Sequence, residues 1–211
     1  MSLNAEQTDL VNRGINAKNP FDIGFCFNAA LEAMKNNFWT IVIGHIIWLA
    51  AVAILEFSLV GLLLVPALAI GMFRFNLSSI RNQSVTISDI FRGFDLFGPS
   101  LAWFFVHTLL VILGYCLCIL PGIYLSIAWV FSLILLADKK FGFWECMEIS
   151  RQVVTANWGW MLLLLLVSAV IAVLGVLGCG VGFFITLPFS YLMLAAAYTR
   201  AFDSQDATVN I

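Results

Sequence analysis

Charge is scarce in this sequence. Only 10% of the 211 residues are charged, whereas 62% are hydrophobic and the mean hydropathy is +1.01. Soluble domains carry roughly 25% charged residues, so a soluble fold of this length would lack the polar groups to cover its surface. The composition fits the lipid bilayer as solvent and predicts a membrane protein. With a net charge of −2 there is no basic excess for nucleic acid, and no nucleic-acid partner is expected.

Recognisable catalytic motifs are missing as well. The sequence has no phosphate-binding loop, nucleotide fingerprint or nucleophile elbow, and its five cysteines lack the spacing of a zinc site. We therefore expect no enzymatic activity, no cofactor and no metal. Residues 1–20 are polar, without the basic start and apolar core of a secretory signal, and residues 203–211 are also polar. Both segments are predicted to be cytoplasmic tails.

Six apolar segments lie between these tails, and most approach the roughly 20 residues that cross a bilayer. They cover residues 38–58, 60–80, 99–119, 121–137, 158–178 and 181–202. Very short connections alternate with long polar ones, which predicts three helical hairpins. The predicted fold is an all-α integral membrane protein with six transmembrane helices. It forms one domain over residues 21–202, with approximate repeats at 21–82, 86–137 and 141–202.

The basic residues are distributed asymmetrically. All ten Lys and Arg residues lie in the tails, in the two long connections or within a few residues of them. The three tight turns, near Phe57, Cys118 and Gly180, contain Glu56 as their single charged residue. Because an excess of Lys and Arg marks the cytoplasmic side, both termini are expected in the cytoplasm and the tight turns outside.

The three hairpins share two features. Each has a proline at or near the start of its returning helix, at Pro66, Pro121 and Pro188, and proline is favoured where a helix begins. Each outgoing span is also preceded by an amphipathic stretch: "DIGFCFNAALEAMKNN", "TISDIFRGFDLFG" and "FGFWECMEISRQVVTAN". Apolar residues at helical spacing predict short helices that lie in the membrane interface or pack beneath the spans.

Three segments carry a resemblance to a known family. "LPGIYLSIAWVFSLILLAD", "FGFWECMEISRQVVTANWGWMLLLLL" and "GVGFFITLPFSYLMLAAAYTRAF" resemble bacterial integral membrane proteins related to the membrane domain attached to some glycerophosphodiester phosphodiesterases. The resemblance covers most of residues 20–202 through hydrophobic, structural motifs. It implies a bacterial inner-membrane location. Most members have no assigned activity, and without the soluble phosphodiesterase barrel the resemblance transfers no catalytic residue.

Four ionisable residues are candidates for function inside the membrane, where such side chains are costly. His45 and His107 lie seven and eight residues into their spans. At this similar depth they either bind a metal or haem, relay a proton, or simply hydrogen-bond a neighbouring helix. Glu56 and Arg74 lie near opposite membrane faces, so no direct pair is expected. Each is an interface anchor if it has no other role.

Small residues gather near the outer turns. Gly178 and Gly182 have small-xxx-small spacing, which predicts either a contact face for another protomer or a tight turn. Cys116, Cys118 and Cys179 also fall at these turns. A disulfide in an oxidising periplasm and the packing of small side chains are alternative interpretations.

The sequence is compatible with three functions. The preferred one is a non-enzymatic subunit whose partners are the lipid bilayer and either copies of itself or another membrane protein. A small-solute or ion transporter or channel needs polar groups inside the bundle or helices broken at mid-membrane, and the prolines are predicted at helix starts instead. An intramembrane enzyme acting on lipid needs a constellation of catalytic side chains, and none is evident in the sequence.

Overall fold

The computed structural model describes residues 3–17, 19–177 and 182–203, and within these ranges the regular secondary structure is all helical, with no strands. The helices are α1 (Ala5–Asn16), α2 (Ile23–Glu56), α3 (Leu59–Ile80), a 3₁₀ helix (Ile87–Leu96), α4 (Phe97–Leu117), α5 (Ile119–Ala128), α6 (Ser132–Lys139), α7 (Phe143–Ala156), α8 (Trp158–Leu177) and α9 (Phe183–Phe202). The all-α prediction is confirmed.

Five helical stretches in the described ranges are long and apolar enough to cross a membrane. They are α2, residues Val60–Ile80 of α3, the 3₁₀ helix together with α4, α5 together with α6, and α8. These long apolar helices support a membrane protein. The sixth predicted span corresponds to α9, which contains Pro188, Tyr198 and Arg200 and is not among the five. The count of six spans therefore stays a prediction.

Helix α2 contains both the first amphipathic stretch and the first predicted span. It runs for 34 residues and bends at Asn37, whose backbone angles (φ −134°, ψ 36°) are not helical. The Asp22 side chain caps its start by accepting a hydrogen bond from the Phe25 N–H at 2.8 Å. Before the bend, Cys26 and Ala30 are fully buried. The bend thus separates a packed first part of α2 from its long apolar part.

The fourth predicted span, residues 121–137, lies within the apolar stretch Ile119–Lys139, which is long enough to cross a membrane but is not one continuous helix. The helix breaks at residues 129–131 into α5 and α6. Ser150 of α7 lies against the break: its hydroxyl donates to the Ala128 carbonyl at 2.8 Å and accepts from the Phe131 N–H at 3.2 Å. Backbone groups freed in an apolar environment must find new partners. A side chain from another helix supplies them.

Two of the three prolines depart from the prediction that each lies at or near the start of its returning helix. Pro121 is the third residue of α5, within its first turn. Pro66 and Pro188 lie inside their helices, as the eighth residue of α3 and the sixth of α9. An interior proline removes one helical hydrogen bond and crowds the carbonyl four residues earlier. These two prolines therefore do not begin the returning helices.

Residues 5–16, predicted to belong to a polar tail, form helix α1. Its start is closed by a reciprocal cap in which Asn4 Oδ1 accepts from the Gln7 N–H at 2.8 Å and Gln7 Oε1 accepts from the Asn4 N–H at 2.9 Å. Leu10 and Val11 are buried. A Cβ on Gly14 would lie 2.8 Å from the Val153 side chain, so α1 packs closely on α7.

Burial differs sharply between the apolar helices. Within the most apolar part of α3, and of α5 with α6, 56% of the residues are buried inside the chain. The corresponding share is 17% for α8 and 6% for the 3₁₀ helix with α4. Helices α3 and α6 are therefore central, whereas α4 and α8 turn most of their apolar side chains outward.

Candidate functional site

Charged side chains gather where α3, α6 and α9 end. Arg81, just after α3, contacts Asp138 of α6 through Nη1 at 2.7 Å and Nη2 at 3.0 Å. The same guanidinium contacts Asp203, just after α9, through Nε at 2.9 Å and Nη2 at 2.8 Å. Burial disfavours the charged guanidinium, but its hydrogen bonds with Asp138 and Asp203 hold the pKa of Arg81 above its ordinary value. One planar fork thus joins the ends of three helices.

Two further side chains complete this network. The Tyr198 hydroxyl of α9 donates to Asp138 Oδ2 at 2.9 Å. Lys139 Nζ lies 3.2 Å from Asp138 Oδ2 and 3.5 Å from Asp203 Oδ1. The carboxylates are thereby engaged in holding helices together rather than left open to a substrate.

Arg74, one of the predicted intramembrane candidates, joins three elements. Its Nε donates to the Ala137 carbonyl of α6 at 2.9 Å, and its Nη1 donates to the Arg92 carbonyl at 2.9 Å and to Asp95 at 2.7 Å. Its Nη2 is buried and has no hydrogen-bond partner among the described residues. Glu56 is the exposed last residue of α2, and the ion pair of Arg74 is with Asp95.

A cleft opens beside these residues, and we call it the basic cleft. Its volume is about 700 Å³. Its charged and polar lining comprises Arg74, Arg81, Arg92, Lys140, Asp89, Asp138, Ser78, Gln83 and Ser84. Four cations thus face two carboxylates. Arg92 and Lys140 have 73% and 62% of their side chains exposed, so these two cations are accessible from solvent.

A second, apolar space lies between α2, α3, α4, α6 and α9, and we call it the apolar cavity. Its volume is about 300 Å³. The residues that line it include Trp48, Pro66, Ala69, Phe73, Trp103, Leu133 and Tyr191. Pockets of this size accommodate small ligands.

The two histidines occupy separate aromatic environments. His45 is 1% exposed, lies near the rings of Phe75 and Tyr191, and its Nδ1–H donates to the Ile41 carbonyl at 2.9 Å. His107 stacks on Trp103, with ring centroids 4.5 Å apart, and also contacts Trp129 at the helix break. No hydrogen bond or ring contact joins the two histidines in the described ranges, which also contain no group of three or more His, Cys, Asp or Glu arranged to hold a metal ion.

Hydrogen bonding to a neighbouring helix was the simplest interpretation of the histidines. His45 Nδ1 instead bonds within its own helix, and His45 Nε2 is buried with no hydrogen-bond partner in the part of the chain that the structure describes. The packing of both rings against aromatic side chains explains their placement. The structure therefore does not bring them together as one site.

The small residues near the outer turns are only partly described. Gly178, Cys179 and Gly180 lie outside the described residues. A Cβ on Gly182 would lie 2.7 Å from the Gly175 carbonyl oxygen, so Gly182 serves the contact between α8 and α9. Cys116 and Cys118 are exposed free thiols.

No family model, curated protein or solved structure matches this chain. The chain's own geometry is therefore the basis for a functional conclusion.

Residues of the charged network were not among the sequence candidates. Asp138 lies 57 positions after Arg81 in the sequence, and Asp203 lies 122 positions after it. Each lies at the polar end of an apolar segment, where a charge is ordinary. The position of Asp203 immediately after the last apolar segment was a usable signal, but its partner was not evident from spacing.

Proposed function

We propose that this chain is a non-enzymatic multi-pass membrane protein that acts as a self-assembling or accessory subunit of a membrane complex. The observation that carries the proposal is the outward-facing surface of α4 and α8. Val170 of α8 and Leu109 of α4 are 57% and 60% exposed, and little of either helix is covered by the rest of the chain. In a monomer, lipid covers these faces. In a complex, a neighbouring helix does.

The proposal includes a location and an orientation. The proposed location is the bacterial inner membrane, as expected from the sequence resemblance alone. Arg81, Lys139 and Lys140 lie where α3 and α6 end. Glu56 and Phe57 lie where α2 ends and α3 begins, which is the other end of α3. The positive-inside rule then supports cytoplasmic termini. In this arrangement α9 is the sixth span, and the first part of α2, the 3₁₀ helix and α7 lie at the cytoplasmic interface.

Cross-linking in native membranes tests the subunit role. Single cysteines at Val170 or Leu109, in a background without the native cysteines, should give a cross-linked dimer or a cross-link to another protein. A cysteine at Leu164 of α8, which is 0% exposed, is the matched control and should give none. The proposal fails if neither exposed position cross-links and the protein stays a lone monomer in several mild detergents.

A transporter or channel is the second candidate, and the break between α5 and α6 favours it. Broken helices often mark transport sites, and within residues 3–17, 19–177 and 182–203 the buried amide of Asn76 and the Nε2 of His45 have no hydrogen-bond partner. Ser150 closes the break, which supports the first proposal instead. Flux measurements in proteoliposomes discriminate between them: solute flux that is lost in a His45→Leu, His107→Leu double variant would favour transport.

A further inference from the structure

We propose that the basic cleft and the apolar cavity together bind one anionic phospholipid, with its phosphate in the cleft and an acyl chain in the cavity. The inference rests on the membrane location proposed above and is independent of the subunit role.

The first argument is that the basic cleft offers two accessible cations to an anion. Arg74, Arg81, Arg92 and Lys140 line it together with Asp89 and Asp138, and Asp95 and Asp203 beside it pair with Arg74 and Arg81. Arg81 is committed to Asp138 and Asp203. The other cations are less occupied: Lys140 Nζ lies 3.9 Å from Asp95, and Arg92 is paired with Asp89 at 2.9 Å but remains 73% exposed. These two side chains are free to turn toward a phosphate.

Arg74 adds a fixed positive charge. Its Nε and Nη1 are bound to α6 and to the 3₁₀ helix, which holds the guanidinium in place. Its Nη2 is buried and has no hydrogen-bond partner among the described residues, so Arg74 contributes its charge to the wall of the cleft rather than an exposed N–H. The exposed Arg92 guanidinium supplies the donors that bind a phosphate oxygen best, and the Ser78 and Ser84 hydroxyls in the same lining offer additional donors.

The second argument is the position of the cleft along the helices. Two apolar stretches, Val60–Ile80 and Ile119–Lys139, both end at the cleft. The end of an apolar stretch coincides with the headgroup layer of a bilayer. Basic pockets between helices at the cytoplasmic surface are typical sites for anionic headgroups.

The third argument is the alignment of the two spaces. On α3, Phe73 lines the apolar cavity and Leu77, one turn further, lines the basic cleft. On α6, Leu133 and Ala137 are related in the same way. Residues four apart lie on one helix face, about 6 Å from each other. The apolar cavity therefore lies directly deeper in the bundle than the cleft, as an acyl chain lies deeper than its phosphate.

This stacking distinguishes a phospholipid from a soluble anion. Inorganic phosphate would use the cleft alone and leave the cavity without a role. A zwitterionic lipid would bring its own cation close to Arg92 and Lys140, the two most exposed cations of the cleft. A lipid with a net negative headgroup places its phosphate in the basic cleft and an acyl chain in the apolar cavity, so it accounts for both.

Native mass spectrometry of the detergent-purified full chain tests the headgroup. Phosphatidylglycerol and phosphatidylcholine with identical acyl chains are added in turn, and we expect retention of one phosphatidylglycerol in preference to phosphatidylcholine. In an Arg92→Gln, Lys140→Gln double variant this preference should fall by about fivefold for each cation removed. Arg13→Gln, which changes a cation outside the basic cleft, is the control and should leave the preference unchanged.

A cavity-filling variant tests the acyl chain. Ala69→Phe places a ring in the apolar cavity and should lower phosphatidylglycerol retention, whereas Ala53→Phe on the exposed side of α2 should not. Glycerol phosphate and inorganic phosphate serve as soluble competitors and should compete only weakly. A thermal unfolding curve for each variant in the same detergent shows that the fold is retained.

Three outcomes would overturn the proposal. Equal retention of both lipids would mean a nonspecific lipid annulus. Complete competition by inorganic phosphate, with no effect of Ala69→Phe, would mean a soluble-anion site. An unchanged preference in the folded Arg92→Gln, Lys140→Gln variant would remove the cleft as the headgroup site. None of these outcomes decides whether α4 and α8 contact another subunit, so the two proposals fail separately.

Discussion

Ser150 closes the break between α5 and α6 with one hydroxyl group. It both donates to the Ala128 carbonyl and accepts from the Phe131 N–H. It is fully buried, so water cannot replace it. A residue on one helix thereby completes the backbone of another.

Ser150→Ala should destabilise the protein. The change leaves two buried backbone groups without partners, at a cost of about 1–3 kcal/mol. Unfolding midpoints in an SDS titration measure the loss. Ser126→Ala is the control, because the Ser126 hydroxyl donates to the Gly122 carbonyl of its own helix and otherwise makes a long, exposed contact of 3.4 Å with the Tyr115 hydroxyl, so its loss should be nearly neutral. Equal effects of the two substitutions would contradict this role of Ser150.

Cys146 should resist alkylation in the folded protein. Burial, followed by the nearby charge of Glu145, raises the pKa of this thiol to about 12. Since the thiolate is the reactive form, little reaction is expected at pH 8, well below that pKa. Mass spectrometry after maleimide treatment should find label on the exposed Cys116 and on Cys146 only after unfolding in SDS. Rapid labelling of native Cys146 would show that α7 does not stay packed.

At the scale of elements, α3 and the 3₁₀ helix approach so closely that only glycine fits between them. A Cβ on Gly71 would collide with the Ile90 carbonyl, and a Cβ on Gly93 would collide with the Ala67 carbonyl. The two glycines act reciprocally, one on each element. This close contact brings the 3₁₀ helix near enough to α3 for Arg74 to donate hydrogen bonds to the Arg92 carbonyl and to Asp95.

Gly71→Ala should therefore separate the two elements. Overpacking of this kind costs about 1–3 kcal/mol, and thermal unfolding in detergent should show a lower midpoint. Gly159→Ala on α8 is the control, because a Cβ there meets nothing within 4 Å and alanine is the better helix former. A Gly71→Ala variant as stable as the Gly159→Ala variant would contradict the close contact.

The elements also show what the sequence can predict. The long helices α3, α4 and α8 follow from hydropathy, because an apolar run of that length has few alternatives. The break at residues 129–131 was not predictable, because the local sequence is uniformly apolar and the stabilising Ser150 lies 19 positions after Phe131. Helix α1 was missed because its polar composition outweighed its short apolar stripe of Leu10 and Val11.

The residues of the candidate site were also predictable from the sequence only in part. Arg74 was singled out because a charge inside an apolar segment is unusual, and the structure places it at the basic cleft. Arg81 and Asp138 were not, because charges at segment ends are ordinary. Sequence spacing also placed the two histidines at a matched depth, but it carries no information on rotation or on which helices are neighbours.

At the scale of the whole molecule, Arg81 connects three helices that are distant in sequence. Arg81→Ala should remove hydrogen bonds to two mostly buried carboxylates and leave these like charges facing each other, at a cost of about 1.5–3 kcal/mol. Arg13→Ala, which breaks an exposed pair with Asp9, should change stability by less than about 0.5 kcal/mol. Both are measured by thermal unfolding, and equal midpoints would contradict the importance of the network.

The proposed topology predicts a labelling pattern in intact cells without native cysteines. A membrane-impermeant thiol reagent should label a cysteine at Ser58, in the tight turn after α2. Cysteines at Asn12 and Lys140 are exposed in the structure but should stay unlabelled until the cells are permeabilised. The reverse pattern would invert the orientation, and labelling of all three positions would break the span count.

The docking of α1 has a consequence for biosynthesis. Helix α1 is synthesised before the helices on which it docks, because a Cβ on its Gly14 would meet Val153 of α7 and the Ala201 carbonyl of α9. Its binding surface is complete only once α7 and α9 have both been made. Helix α1 must therefore stay undocked while the intervening helices are synthesised, and its docking reports that α7 and α9 have come together.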